Sequence, residues 1–281
     1  MRAKKSLGQH FLRCRWVVST LIRSAELTQK DTILEIGPGT GVLTFALAQA
    51  AGHVVAVEKD ERLAGALMAR LKEDGITNVE ILTGDILRLL PILPQVIQAK
   101  LGSKNRYKVV ANIPYYLTAR LLRLLLEQQP QPAEGEARPD GRPELIVLTI
   151  QKEVAQRIVA QPPRMNLLAL SVQAFGKPEI IKTVPASCFS PMPKVDSAII
   201  KIADISDRFF RENRLDQKQF FAPIRRAFSQ KRKLLLNTLG MRHSVLHKEQ
   251  IAAVLTTLNL SKNARPQELS LQNWANLAKS L

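Results

Sequence analysis

Cysteine, acidic residues and long apolar runs are all scarce in this sequence. The two cysteines among its 281 residues, Cys14 and Cys188, are too few and too far apart for a disulfide framework or a metal cluster, and they imply a reducing compartment. No other ligand cluster stands out, so no metal is expected. No segment reaches the roughly 20 apolar residues of a membrane span, and the start "MRAKKSLGQHFLRCRWVV" lacks an uninterrupted apolar core of signal-peptide length. A soluble cytoplasmic protein is expected. With 24 Asp and Glu against 41 Lys and Arg, the formal net charge is +17, far beyond what solubility needs, so a polyanion is the expected partner. Nucleic acid comes first among these.

What is present is an alternation of short apolar runs and amphipathic segments. The runs "TILEIG", "HVVAVEK", "VEILTGD", "YKVVANI" and "ELIVLTI" are strand-length and nearly continuous, as in a parallel sheet covered on both faces. Between them, "VLTFALAQA", "ERLAGALMARLKE" and "TARLLRLLLEQ" carry apolar residues at three- and four-residue spacings. The fold class that follows is α/β, a doubly wound, mostly parallel sheet. "EIIKTVP" and "SAIIKIA" read as two more strands, paired antiparallel at one edge. From about residue 204 the strand pattern gives way to amphipathic helices, so a domain of residues 1–203 is expected to precede a small α-helical domain of residues 204–281. Residues 203–281 carry a net +8, nearly the +9 of the far longer remainder. The proline- and glycine-rich stretch from Pro130 to Glu144 is expected to be a mobile surface loop.

Three strand ends carry the chemistry. "ILEIGPGTGVLT" places Glu35, Gly37, Gly39 and Gly41 where the first run turns into a helix, and glycines there let a ligand approach the backbone and helix N-terminal N–H groups. A purely structural turn would also use glycine. The spacing departs from G-x-G-x-x-G, and an acid two residues before G-x-G-x-G is similar to the nucleoside-binding loop of S-adenosylmethionine-dependent methyltransferases. Glu58 closes the second run, where a carboxylate can accept from both ribose hydroxyls. Asp85 closes the third, within reach of an adenine amino group. In "VVANIPYYLT", Asn112 ends the fourth strand and can accept from an exocyclic amine, while Tyr115 offers a face for base stacking.

"LGQHFL", "EIGPGTG", "GDIL", "NIPYYLT", "QKEVAQRIVA" and "FSPMPKVDSAII" occur, with Glu58, in the order found in the ribosomal RNA adenine N6-dimethyltransferase family, which the chain resembles over nearly its whole length. "PKVDSA" and the helical tail are similar to the branch that dimethylates two adjacent adenosines in the 3′-terminal hairpin loop of 16S ribosomal RNA. The resemblance implies a Rossmann-like class I methyltransferase, S-adenosyl-L-methionine as cofactor, and a monomer acting on the small ribosomal subunit or its precursor. It places His10, Leu12, Gly37, Glu58, Asp85 and Asn112 against the cofactor. Asn112 would also meet the target amine, and Tyr115 and Phe189 would hold the flipped adenine. His10 stands where the family has asparagine, which would make its contact depend on tautomer and pH. Leu167 and Leu168 replace the family's frequent Tyr-Gly pair.

In the tail, "IRRAFSQKRK" gathers Arg225, Arg226, Lys231, Arg232 and Lys233 without an acid, a candidate grip on RNA phosphates, with Lys4, Lys5, Arg13 and Arg15 closing from the N-terminal arm. Two other readings remain open. One is a macrolide-resistance-type enzyme with the same chemistry on 23S ribosomal RNA; the other is a ribosome-assembly or transcription factor that keeps the fold for binding alone.

Overall fold

The β-branched runs form the middle of one sheet. A computed structural model describes residues 4, 7–90, 107–127, 141–230, 232–240 and 248–281. The strands that matter for the site are β1 (Phe11–Leu12), β2 (Thr32–Ile36), β3 (His53–Glu58), β4 (Val79–Thr83), β5 (Lys108–Asn112), β6 (Leu145–Gln151), β7 (Lys177–Val184), β8 (Phe189–Ser190) and β9 (Ser197–Ala203). Seven of them pair in the order β4-β3-β2-β5-β6-β9-β7. The pairs from β4 to β6 are parallel; β9 is antiparallel to both β6 and β7. The two late runs do pair with each other, and a bulge between Ile180 and Lys182 interrupts their register.

Helix α1 (Arg15–Ser24) precedes β2, and α2 (Val42–Ala50), α3 (Glu61–Glu73), the short α4 (Ile86–Leu89) and α5 (Thr118–Leu126) follow the parallel strands in turn. Ile33, Leu34, Val54, Val109, Val110, Ile146 and Val147 are fully buried, as a sheet covered on both faces requires. Strand order reverses between β2 and β5, so the carboxyl ends of these two strands flank the crevice where open α/β sheets take their ligands.

The described contacts divide the chain into two compact units, Met1–Ala155 with Lys177–Ile205, and Gln156–Gly176 with Ser206–Leu281. This differs from a single cut after residue 203 in one segment. Residues 156–176, with α6 (Lys152–Ile158) crossing the boundary and α7 (Leu167–Gln173) inside it, pack with the helical unit. There the Met165 N–H donates to Gln267 O at 3.0 Å and the Ser206 N–H to Phe175 O at 2.8 Å. The core of that unit joins Phe175, just after α7, to Phe210 of α8 (Arg208–Asn213) and Phe220 and Phe221 of α9 (Gln217–Phe228). Trp274 of a helix capped by Ser270 is fully buried in the same unit.

Two expectations are corrected. Cys14 and Cys188 are bonded to each other as a disulfide, 174 residues apart in sequence. Sequence distance was the wrong measure: β1 pairs antiparallel with β8, Leu12 opposite Phe189, and the Arg13 N–H donates to Cys188 O at 2.8 Å, leaving the two Cα atoms 5.1 Å apart. The far end of the expected surface loop is also packed. Arg142 is buried and its Nε donates to Leu126 O at 2.8 Å, while residues 130–140 of that stretch lie outside the described residues.

Candidate active site

The glycine loop after β2 is built for close approach. Gly37, Gly39 and Gly41 all have positive φ, at +69°, +58° and +84°. A side chain is disfavoured by that backbone at all three and crowded at two, a Cβ on Gly39 lying 3.1 Å from the Phe11 ring and one on Gly41 lying 2.4 Å from Leu67 Cδ1. Loop and neighbouring strand are locked together by Glu58, whose carboxylate accepts from the Gly39 N–H at 3.0 Å and from the Asp60 N–H at 2.9 Å. One oxygen lone pair on each side of that carboxylate is therefore fixed, and the remaining ones can accept from a ligand.

A cavity of about 990 Å³, mouth included, opens over these residues. It is lined by His10 and Leu12 from the arm, Gly37 and Gly39 from the loop, Glu58 and Asp85 from the strand ends, and Asn112, Tyr115 and Phe189 beyond them. The residues expected from sequence to hold the cofactor and the target base thus face one space. Asp85 caps α4 through the Leu87 N–H at 3.0 Å and pairs with Lys59 Nζ at 2.8 Å. That pairing holds its carboxyl below the usual range.

The amide of Asn112 is oriented rather than loose. Its Nδ2 donates to the backbone carbonyl of His10 at 3.2 Å, which leaves Oδ1 as an acceptor. The His10 ring donates from Nδ1 to Pro191 O at 2.6 Å and stacks on Tyr115, centroids 5.6 Å apart. A carbonyl can only accept, so in this contact Nδ1 carries the proton. Tyr115 is anchored at its far end by the buried Ser197, Oη to Oγ 2.7 Å, and partial burial raises its hydroxyl pKa. Phe189 lines the cavity but is only 3% exposed and belongs to the hydrophobic core, so most of its ring is committed to packing.

Lys59 and Asp60 do not stand out in the sequence, and Glu35, the acid before the glycine loop, has surroundings that the sequence does not show. Glu35 is fully buried, its Oε2 makes no hydrogen bond among the described residues, and desolvation pushes its carboxyl up to about 8, with the neighbouring Thr44 hydroxyl opposing. Lys59 pairs with Asp85, 26 residues away. Asp60 is buried beneath Arg62, at 2.9 Å, and Lys4, at 3.2 Å. Arg62 and then Lys4 hold its carboxyl well below the usual range despite that burial. Its one sequence signal is the helix-capping position before α3, where it accepts from the Arg62 N–H. Lys4 is thereby engaged in an ion pair on the arm.

The basic cluster lies in the other unit. Arg225 and Arg226 end α9, Arg225 lies 5.4 Å above the Phe221 ring, and Arg232 and Lys233 are exposed. Lys231, like Lys5 of the arm, lies outside the described residues.

With the site assembled, the sequence can be set beside known proteins. It matches the ribosomal RNA adenine dimethylase family over residues 1–281. The chain belongs to that family. A ribosomal RNA small subunit methyltransferase A from Dehalococcoides mccartyi is 39% identical over 274 residues, covering 98% of this chain and 87% of that protein. Among solved structures, a dimethyladenosine transferase from Plasmodium falciparum superposes with a TM-score of 0.72 at 25% identity, over 95% of this chain and 96% of that one. A 23S rRNA methyltransferase superposes with a TM-score of 0.70 at 24% identity, over 96% and 99%, and bears on the fold alone. The seven-stranded sheet with its glycine loop is thus that of a ribosomal RNA adenine dimethylase, and no helix among the described residues is long and apolar enough to cross a membrane.

Proposed function

We propose that this protein transfers methyl groups from S-adenosyl-L-methionine to N6 of two adjacent adenosines in the 3′-terminal hairpin loop of 16S ribosomal RNA, acting as a cytoplasmic monomer on the small subunit or its precursor. The observation that carries this reading is the oriented amide of Asn112, with Oδ1 unengaged among the described residues, at the carboxyl end of β5 beside the glycine loop.

The residues fit the cofactor. A glycine cradle that a Cβ would fill, a buried carboxylate with spare lone pairs at Glu58 and an orphaned acceptor at Glu35 Oε2 together suit a ligand with a ribose and a cationic end. S-adenosylmethionine, when bound, supplies a methyl group on a sulfonium, an excellent leaving group, so no strong base is required. Glu58 accepts from the ribose hydroxyls, and Asp85, kept anionic by Lys59, accepts from the adenine amino group. His10 and Leu12 close the arm side, and Gly37 lets the backbone approach.

On the substrate side Asn112 Oδ1 and a backbone carbonyl near Ile113 accept from the target amine, hold it, and counter delocalisation of its lone pair into the purine. Tyr115, fixed by Ser197 and stacked by His10, supports the adenine face, and Phe189 offers the exposed part of its ring. An unpaired loop base is the suitable target, because base edges inside A-form RNA are poorly accessible. Arg225, Arg226, Lys231, Arg232 and Lys233 hold phosphates outside the cavity.

The test is to incubate undermethylated small subunits and, separately, unmodified large-subunit RNA with the protein and cofactor, then map modified adenines. Two adjacent dimethylated adenines in the small-subunit hairpin are expected. Modification confined to large-subunit RNA, or none in either, would overturn the reading.

A further inference from the structure

The Cys14–Cys188 bond joins two strands that each carry part of the cavity wall. Leu12 and Phe189 face each other across β1 and β8, and both line the cavity. Cys14 follows Leu12 by two residues, and Cys188 immediately precedes Phe189. Without the bond this ladder is short. It holds the pairs Phe11–Ser190 and Leu12–Phe189, continued by the hydrogen bond from the Arg13 N–H to Cys188 O. A two-stranded ladder of that length has little stability of its own.

The arm ahead of the ladder meets the site through His10 in three ways. Its carbonyl accepts from Asn112 Nδ2, its Nδ1 donates to Pro191 O, and its ring stacks on Tyr115. Whatever anchors residues 11–14 therefore also steadies the Asn112 amide. Cys188 is only 4% exposed, whereas Cys14 is partly exposed and stands between the exposed Arg13 and Arg15. An incoming thiolate reaches Cys14 Sγ first, drawn by the two guanidinium groups. In a cytoplasmic protein, as proposed above, a disulfide so placed is exchanged rather than permanent.

We propose that Cys14 and Cys188 form a redox latch that sets how tightly the N-terminal arm closes the cavity, opened by a protein dithiol and closed by a disulfide-bearing oxidant in the reverse exchange. On opening, a thiolate of the dithiol attacks Cys14 Sγ, the Cys14–Cys188 bond breaks, and Cys188 leaves as a thiolate that takes up a proton. The second thiol then attacks the mixed disulfide and frees Cys14, which is protonated in turn. Two electrons and two protons pass to the protein, and the dithiol becomes a disulfide. The open arm is held by the two-pair ladder and the His10 contacts alone, so it lifts more often, taking His10 and Leu12 off the cavity wall and releasing Asn112. The consequence for S-adenosylmethionine rests on the cofactor reading above; the latch itself does not.

The experiment compares one full-length chain in two states, oxidised with glutathione disulfide or reduced with dithiothreitol and desalted, with thiols counted in denaturant. In the reduced state the Arg13 amide should exchange its hydrogen about tenfold faster, the β5 amides should lag behind it, and calorimetric affinity for S-adenosylmethionine should fall about tenfold. Reoxidation should restore all three. Cys14→Ser and Cys188→Ser should each match the reduced protein and ignore dithiothreitol; the wild-type comparison needs no substitution, so a variant that fails to fold does not weaken it. Thiols that do not pair on oxidation, equal Arg13 exchange in the two states, a uniform rise in exchange across the sheet, or faster arm exchange with unchanged cofactor affinity would each overturn the latch. Absence of S-adenosylmethionine binding in both states, with the Arg13 difference intact, would sink the cofactor reading and leave the latch standing.

Discussion

Asn112 Nδ2 donates to the main-chain carbonyl of His10 across 102 residues of sequence, tying the end of β5 to the N-terminal arm. The same hydrogen bond decides which atom of the amide points at the substrate. Asn112→Ala should lower methyl transfer on the order of 100-fold or more. The melting temperature should stay near that of wild type, because the side chain is only part-buried. Asn112→Asp, which keeps an acceptor and loses the donor to His10, should retain more activity than the alanine variant. Single-turnover rates with saturating cofactor would measure this, and near-normal turnover in Asn112→Ala would remove the residue from the mechanism.

Glu58 serves loop and ligand at once. Glu58→Ala should weaken S-adenosylmethionine binding about 100-fold, since two ribose hydroxyls lose a charged acceptor, and should also destabilise the unliganded protein by about 2 kcal/mol as the Gly39 and Asp60 N–H groups lose theirs. Calorimetry and denaturant melts test the two halves separately. Unchanged cofactor affinity would contradict the assignment.

Glu35 gives the stability a pH signature. Its folded value of about 8 lies above the ordinary glutamate value of 4.5, so between those limits the native state binds more protons than the unfolded chain. Unfolding free energy therefore falls as pH rises through that window, by at most about 5 kcal/mol. Glu35→Gln should flatten the slope and be the more stable protein at pH 8. Melting temperatures of both proteins from pH 5 to 9 check this; parallel curves would mean that Glu35 is ionised in the fold.

Arg232 and Lys233 are exposed at the start of the segment that follows α9. If they contact phosphates, neutralising both should reduce the slope of log affinity against log salt by between about 1.4 and 1.8, without altering cofactor binding. Parallel lines of equal affinity would return the cluster to an ordinary solvated surface.

The Cys14–Cys188 bond closes a loop of 174 residues. Chain entropy sets its contribution at about 5 kcal/mol as an upper figure. Reduction should lower the melting temperature, and Cys14→Ser should melt like the reduced protein. Two titratable thiols in protein purified without reductant and denatured would show that the bond does not form in the cell.

How far the sequence revealed the site depended on whether a residue's role is local. Glu58, Asp85 and Asn112 each end a strand, and strand ends of a parallel sheet converge, so position along the chain sufficed to place them around one cavity. The glycines were legible because a tight turn demands them. Roles set by distant partners were hidden. Nothing near Lys59 announces Asp85, nothing near Lys4 announces Asp60, and the cysteine pairing depends on a two-residue strand, β1, too short for any periodicity. Phe189 shows the same limit from the other side, since its burial follows from the β1 pairing and not from its neighbours in sequence.

The order of strands also sets a condition on synthesis. β9, the last strand of the sheet to leave the ribosome, lies between β6 and β7, and Ser197 at its start anchors Tyr115. A nascent chain that ends before residue 197 has its glycine loop and its five parallel strands, yet exposes the unpaired edge of β6 and has no partner for the tyrosine hydroxyl. The cofactor half of the pocket can thus precede the substrate half in time, and a chain halted there presents an open sheet edge for other chains to join.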